Sequence, residues 1–144
     1  MEYILITSDD PLYSQAIDLR YEVFFKPFNV GLDKVFDGME EGAVHLVCVE
    51  KKEVLGYGRL TFDNDNISVV SQMVVKEAYH KMGIGKELMK HLMSLAKEKG
   101  RKAVILDAKI EAKEFYEKLG FHTEGDNFPS KKTGLPHIKM VKTL

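Results

Sequence analysis

The chain has 144 residues, 44% apolar and 30% charged, which fits an ordinary globular domain and excludes both a disordered chain and a fibre. Its 21 lysines and arginines nearly balance 22 aspartates and glutamates, so it has no basic footprint for nucleic acid or an anionic membrane, and any polyanion site has to be local. One cysteine, Cys48, excludes an internal disulfide, no run approaches the roughly 18 apolar residues of a membrane helix, and the first ten residues lack a signal-peptide pattern; one cytosolic domain over residues 1–144 is expected.

Glu2 to Thr7 reads as a strand. Asp9 or Asp10 can cap the helix that follows, with Pro11 at its first position, and Leu12, Ala16, Leu19 and Val23 then recur at helical spacing. From Lys26 to Gly42 the pattern is broken by Pro27, Gly31 and Gly38, and Asp33, Asp37, Glu40 and Glu41 accumulate. An irregular segment is expected there, with a short helical turn near Leu32 to Phe36, and its length makes it a candidate wall for a substrate site.

Val44 to Glu50 and Val54 to Phe62 form a predicted hairpin around Lys51-Lys52-Glu53, with Cys48 as a small buried hydrophobe. Gly56 and Gly58 predict a bulge or a close backbone approach in the second strand. A turn at Asp63-Asn64-Asp65-Asn66 leads into Ile67 to Val75, completing an antiparallel meander.

Lys76 to Met82 then connects that strand to Gly83-Ile84-Gly85 and a helix whose stripe is Ile84, Leu88, Leu92 and Leu95, stopped by Gly100. Lys102 to Asp107 is a short apolar strand, and strand, crossover helix and strand in this order predict parallel pairing with Ile67 to Val75. Ala112, Phe115, Tyr116 and Leu119 share a face of the next helix, which Gly120 ends, and strands are expected at Phe121 to Phe128 and His137 to Val141 around a polar loop. The predicted class is α/β with a mixed central sheet flanked by helices.

The glycine turn is the first candidate for chemistry. His80-Lys81-Met82-Gly83-Ile84-Gly85 opens a helix whose unpaired amides and dipole favour negative charge, with Lys81 and Lys86 alongside. Neither the Walker spacing nor the GxGxxG fingerprint is present, since Leu88 holds the third glycine position, so on spacing alone a phosphate cradle and a simple tight turn both stand.

Two elements together carry a resemblance. Gln72-Met73-Val74-Val75 followed by Tyr79 to Met89 resembles the acetyl-CoA motif of the GCN5-related N-acetyltransferase (GNAT) family, and Phe115 to Phe121 is similar to that family's downstream helix motif. The strand and helix order around them extends the likeness over nearly the whole chain. Within the family, Val23-Phe24-Phe25, His45-Leu46-Val47, Leu106-Asp107-Ala108 and Gly134 to Ile138 resemble the ElaA-like branch. His80 departs from the Arg or Gln usual at its position, a loss of fixed charge that would weaken pyrophosphate binding or make it pH-dependent.

The resemblance implies acetyl-CoA as acyl donor, its pyrophosphate on the amides of Lys81, Met82, Gly83, Ile84, Gly85 and Lys86 beside His80, and its pantetheine arm paired like an extra strand with Met73, Val74 and Val75. It implies direct acyl transfer to an amine of a small molecule or peptide, with Tyr116 as the acid for the departing thiolate, although Tyr116 also fits the apolar stripe of its helix. A backbone N–H near Val74 or Val75 would polarise the thioester. Asp37, His45, Glu111 and His137 are the candidates for the acceptor side, His137 foremost because Leu135-Pro136 places it. No metal is expected, as no HxxxH or HExxH spacing occurs. A homodimer is an expectation of the resemblance alone. The competing readings are an acyl-CoA-binding or sensing module without catalysis and a plain nucleotide- or phosphate-binding domain.

Overall fold

The computed structural model describes residues 1–63 and 65–144, so Asn64 of the predicted turn lies outside the described residues. Seven strands, β1 (Glu2–Ile6), β2 (Val44–Glu50), β3 (Glu53–Phe62), β4 (Ile67–Val75), β5 (Ala103–Lys109), β6 (His122–Pro129) and β7 (Pro136–Thr143), form one mixed sheet in the order β1-β2-β3-β4-β5-β7-β6. The expected meander and the parallel β4–β5 pair are both present, and the remaining pairings are antiparallel.

Alternation along the strands sends residues to two cores. Leu46, Cys48, Leu55 and Leu60 face helix α2 (Ile84–Glu98), which buries Ile84, Leu88 and Leu92 of its predicted stripe together with Met89 and Ala96, while Leu95 is only partly buried. Val47, Val54, Tyr57 and Val74 face helix α1 (Leu12–Phe24) on the other side through Ala16 and Leu19. Pro11 stands one residue before α1, and the Asp10 carboxylate accepts the Leu12 N–H at 2.8 Å, a local turn bond that fixes the helix start.

The middle-strand glycines are explained by close packing. A Cβ on Gly56 would stand 3.0 Å from Ile84 and 3.2 Å from Leu88, and one on Gly58 would stand 2.5 Å from the Met73 sulfur and 2.9 Å from Leu92. The helix lies directly on this bare backbone. The β3–β4 register also shifts between Tyr57 and Arg59, a bulge in which Gln72 takes φ +59°.

The predicted third helix is shorter than its stripe suggests: a 3-10 turn at Ile110–Ala112 runs into helix α3 at Lys113–Glu117. The long segment from Lys26 to Gly42 holds two 3-10 turns, Lys26–Phe28 and Leu32–Val35, the second at the expected place.

Candidate active site

Strands β4 and β5 pair only from Ile67 to Val69 against Ala103 to Ile105 and then diverge, while β5 stays paired with β7 on its other edge from Ala103 to Lys109. The divergence leaves one edge of β4 unpaired and opens a cavity of about 370 Å³ between Val70 to Val75 on one wall and Leu106 to Lys109 on the other. Phe24 and Phe25 at the end of α1 close it from one side, Lys132 and Leu135 from the loop before β7, and Tyr116 from α3.

The orientation of β4 backbone groups follows from one bond. The Lys76 N–H donates to Leu55 on β3 at 2.8 Å, so by strand alternation Val74 also faces β3 and Val75 turns its N–H and C=O to the cleft. Of the two amides expected near a thioester, Val75 is the one presented. Its carbonyl already has a partner, since His80 Nε2 donates to it at 2.8 Å.

At the outer end of that edge, Lys81 and Gly83 both take left-handed backbone angles, φ +67° and +82°, and α2 begins at Ile84. The Ile84 side chain is core, so only its backbone is presented; Gly83, Gly85 and Lys86 add amides with no acceptor inside the helix. Lys81, Met82 and Lys86 are exposed around them.

Tyr116 belongs to both the core and the cavity. Its ring packs edge-on against Phe115 and Phe121 and is 9% exposed, while it also lines the cleft. Burial pushes its phenol up to about 12, so it remains a protonated donor at neutral pH.

The four acceptor-side candidates separate. His137 lines the cavity, and its Nδ1 lies 2.9 Å from the Leu135 carbonyl oxygen. A carbonyl only accepts, so Nδ1 carries the proton and Nε2 of the neutral ring keeps its lone pair. His45 is buried with both nitrogens used: Nε2 donates to the Glu40 carbonyl at 3.0 Å, and Nδ1 accepts from the Tyr57 hydroxyl at 2.6 Å. Asp37 is held by Arg59 at 2.7 Å. Glu111 is exposed and lies outside the cavity lining.

Asp37 and His45 thus belong to a charge network that fastens the 26–42 segment. Arg20 and Arg59, 0% and 3% exposed, bind Glu40 from α1 and β3, and Arg59 also binds Asp37 and the Ser71 hydroxyl. Burial would raise both carboxyls, but the guanidiniums more than offset it and hold Asp37 and Glu40 at about 2. Neither is a proton acceptor near neutral pH. Sequence reading missed this pairing, although one signal was present: the chain has only Arg20, Arg59 and Arg101 among its many lysines, and planar guanidinium is the group suited to buried carboxylate pairs. Gln72, Phe24, Lys109 and Lys132 were also unforeseen on the cavity wall, for which no local pattern gives a signal.

The site is thus a split in a mixed sheet beside a glycine turn, with backbone groups facing the split and a buried phenol in its lining. The family model for the acetyltransferase (GNAT) domain matches residues 11–144. The chain belongs to the GNAT acetyltransferase family and is an acyltransferase. It is 28% identical over 138 residues to the uncharacterized N-acetyltransferase YjcF of Bacillus subtilis (strain 168), covering 96% of this chain and 97% of that one. Its fold is similar to that of Escherichia coli ElaA, with a TM-score of 0.83, 23% identity and 98% of each chain covered. It is also similar to that of an aminoglycoside 6'-N-acetyltransferase complexed with coenzyme A, with a TM-score of 0.81, 20% identity, and 99% of this chain and 97% of that one covered.

Proposed function

We propose that the chain acts as one N-acetyltransferase domain over residues 1–144, taking acetyl-CoA as donor and a primary amine of a small molecule or peptide as acceptor. The observation that carries this reading is the unpaired β4 edge with Val75 turned to the cleft, between a helix N-terminus at one end and Tyr116 in the lining. The extended pantetheine arm adds along β4 through main-chain bonds, and the pyrophosphate rests on the amides from Lys81 to Lys86.

A neutral amine attacks the thioester carbonyl, forming the C–N bond as the C–S bond breaks. The Val75 N–H stabilises charge on the carbonyl oxygen. His137 Nε2 takes the proton released by the amine, and the Tyr116 hydroxyl hydrogen-bonds to the departing thiolate and supplies its proton, which solvent later restores. His137 is preferred over the other three candidates because it alone combines cavity lining with an open ring nitrogen.

Release of free thiol from acetyl-CoA, measured against a panel of amines with and without protein, tests the reading. Release that depends on a particular amine supports it. Tight acetyl-CoA binding without such release would leave a non-catalytic binding module, and absence of any CoA binding would sink both.

A further inference from the structure

The acceptor end of the cleft carries an uneven set of charges. Alternation places Asp107 and Lys109 on one face of β5, and Lys109 is the cross-strand partner of His137 on β7. Lys109 stands over the Phe24 ring at 5.1 Å and Lys132 over the Phe25 ring at 5.2 Å, with the two rings 6.3 Å apart. All of these side chains line the same cavity.

Among the described residues, neither lysine is in an ion pair. Lys132 donates to the Lys34 carbonyl at 2.6 Å, which leaves further N–H groups of the ammonium for another acceptor. Asp37 lies near enough to act on Lys132, but its carboxylate is already bound by Arg59. Lys139, opposite Asp107, is 3.4 Å from Glu124 instead, so Asp107 has no ion-pair partner among the described residues. Burial pushes the Lys132 ammonium down, a cost that an incoming anion would offset.

We infer that the acceptor is an amine carrying an anionic group, a carboxylate or a phosphate, with that group bound by Lys109 and Lys132 and its amine directed to Asp107 and His137. Two unpaired cations against one unpaired carboxylate disfavour a polycationic acceptor and give a zwitterionic one a complementary partner at each end. The phenyl faces pack beside both lysines, whose bonds to the anion would be charge-assisted.

This inference rests on the acceptor site proposed above, and binding separates the two. Calorimetry on CoA-saturated protein, which cannot transfer an acetyl group, would compare 2-aminoethyl phosphate and 3-aminopropanoate with 2-aminoethanol and 1,2-diaminoethane. The anionic amines are expected to bind about tenfold more tightly than 2-aminoethanol, and the diamine more weakly than either. Lys109→Met and Lys132→Met should each reduce that preference severalfold, and Lys109→Arg should retain it. The stronger of the phosphate and carboxylate arms identifies the anion. Equal binding of all four amines, tighter binding of the diamine, or a preference that survives both methionine variants would overturn the inference. Anionic preference without thiol release would uphold it while sinking the enzyme reading; thiol release with no anionic preference does the reverse.

Discussion

His80 Nε2 donates to the Val75 carbonyl oxygen across 2.8 Å, tying the connector before the glycine turn to the open edge of β4. The same carbonyl has a second lone pair for a strand-like ligand, so this bond organises the donor site without closing it.

His80→Ala is therefore expected to weaken acetyl-CoA binding about fivefold, the worth of one hydrogen bond that orders the connector. His80→Gln keeps a donor and should stay close to the wild type, and His80→Arg should bind more tightly by adding a fixed charge beside the pyrophosphate amides. Calorimetric titration with acetyl-CoA measures all three. Unchanged or tighter binding by the alanine variant would show that the bond competes with the ligand instead.

The Arg20, Arg59, Asp37 and Glu40 network predicts an acid-sensitive attachment of the 26–42 segment. Ordinary values of 3.8 for Asp37 and 4.5 for Glu40 fall to about 2 on folding. Depressed carboxylates contribute stability that is complete above their unfolded values and is lost as pH falls toward the folded ones, so this contribution should hold near neutrality and decline from about pH 5 toward pH 2. Denaturant midpoints across that range check it, and Asp37→Asn should flatten the decline. Glu40→Ala removes a partner from two buried guanidiniums and is expected to cost about 3 kcal/mol at pH 7.

Gly58→Ala would drive a methyl group into the Met73 sulfur and Leu92, which its Cβ would meet at 2.5 and 2.9 Å. Both side chains would have to shift, and Leu92 is fully buried. A loss of about 1–2 kcal/mol is expected in urea denaturation, with an unchanged slope. A variant as stable as the wild type would mean that Met73 and Leu92 repack freely.

Local features made most of the fold legible. The strand from Ile67, the glycines at 83 and 85 and the stripe from Ile84 lie within one continuous stretch, so periodicity and turn chemistry suffice to define them. The β4–β5 ladder ends at Val69 although β5 goes on pairing with β7 along its other edge as far as Lys109, and no local pattern encodes where that ladder stops. The acceptor side was harder for the same reason. Asp37 stood as an acceptor-side candidate and Glu40 as one acid of an irregular segment because the arginines that bind them come from α1 and β3, and His45 could not be distinguished from a reactive imidazole until Tyr57 and the Glu40 carbonyl were seen at its two nitrogens.

Tyr116 bears most directly on the central claim, because its ring has a packing role as well as a chemical one. Phenylalanine keeps the ring contacts with Phe115 and Phe121 and removes only the hydroxyl. Steady-state thiol release by Tyr116→Phe with saturating amine, alongside acetyl-CoA titration of the same protein, separates the two roles. We predict a kcat lower by about 10²-fold with acetyl-CoA affinity nearly unchanged. Wild-type turnover in that variant would contradict the account and return Tyr116 to the core alone.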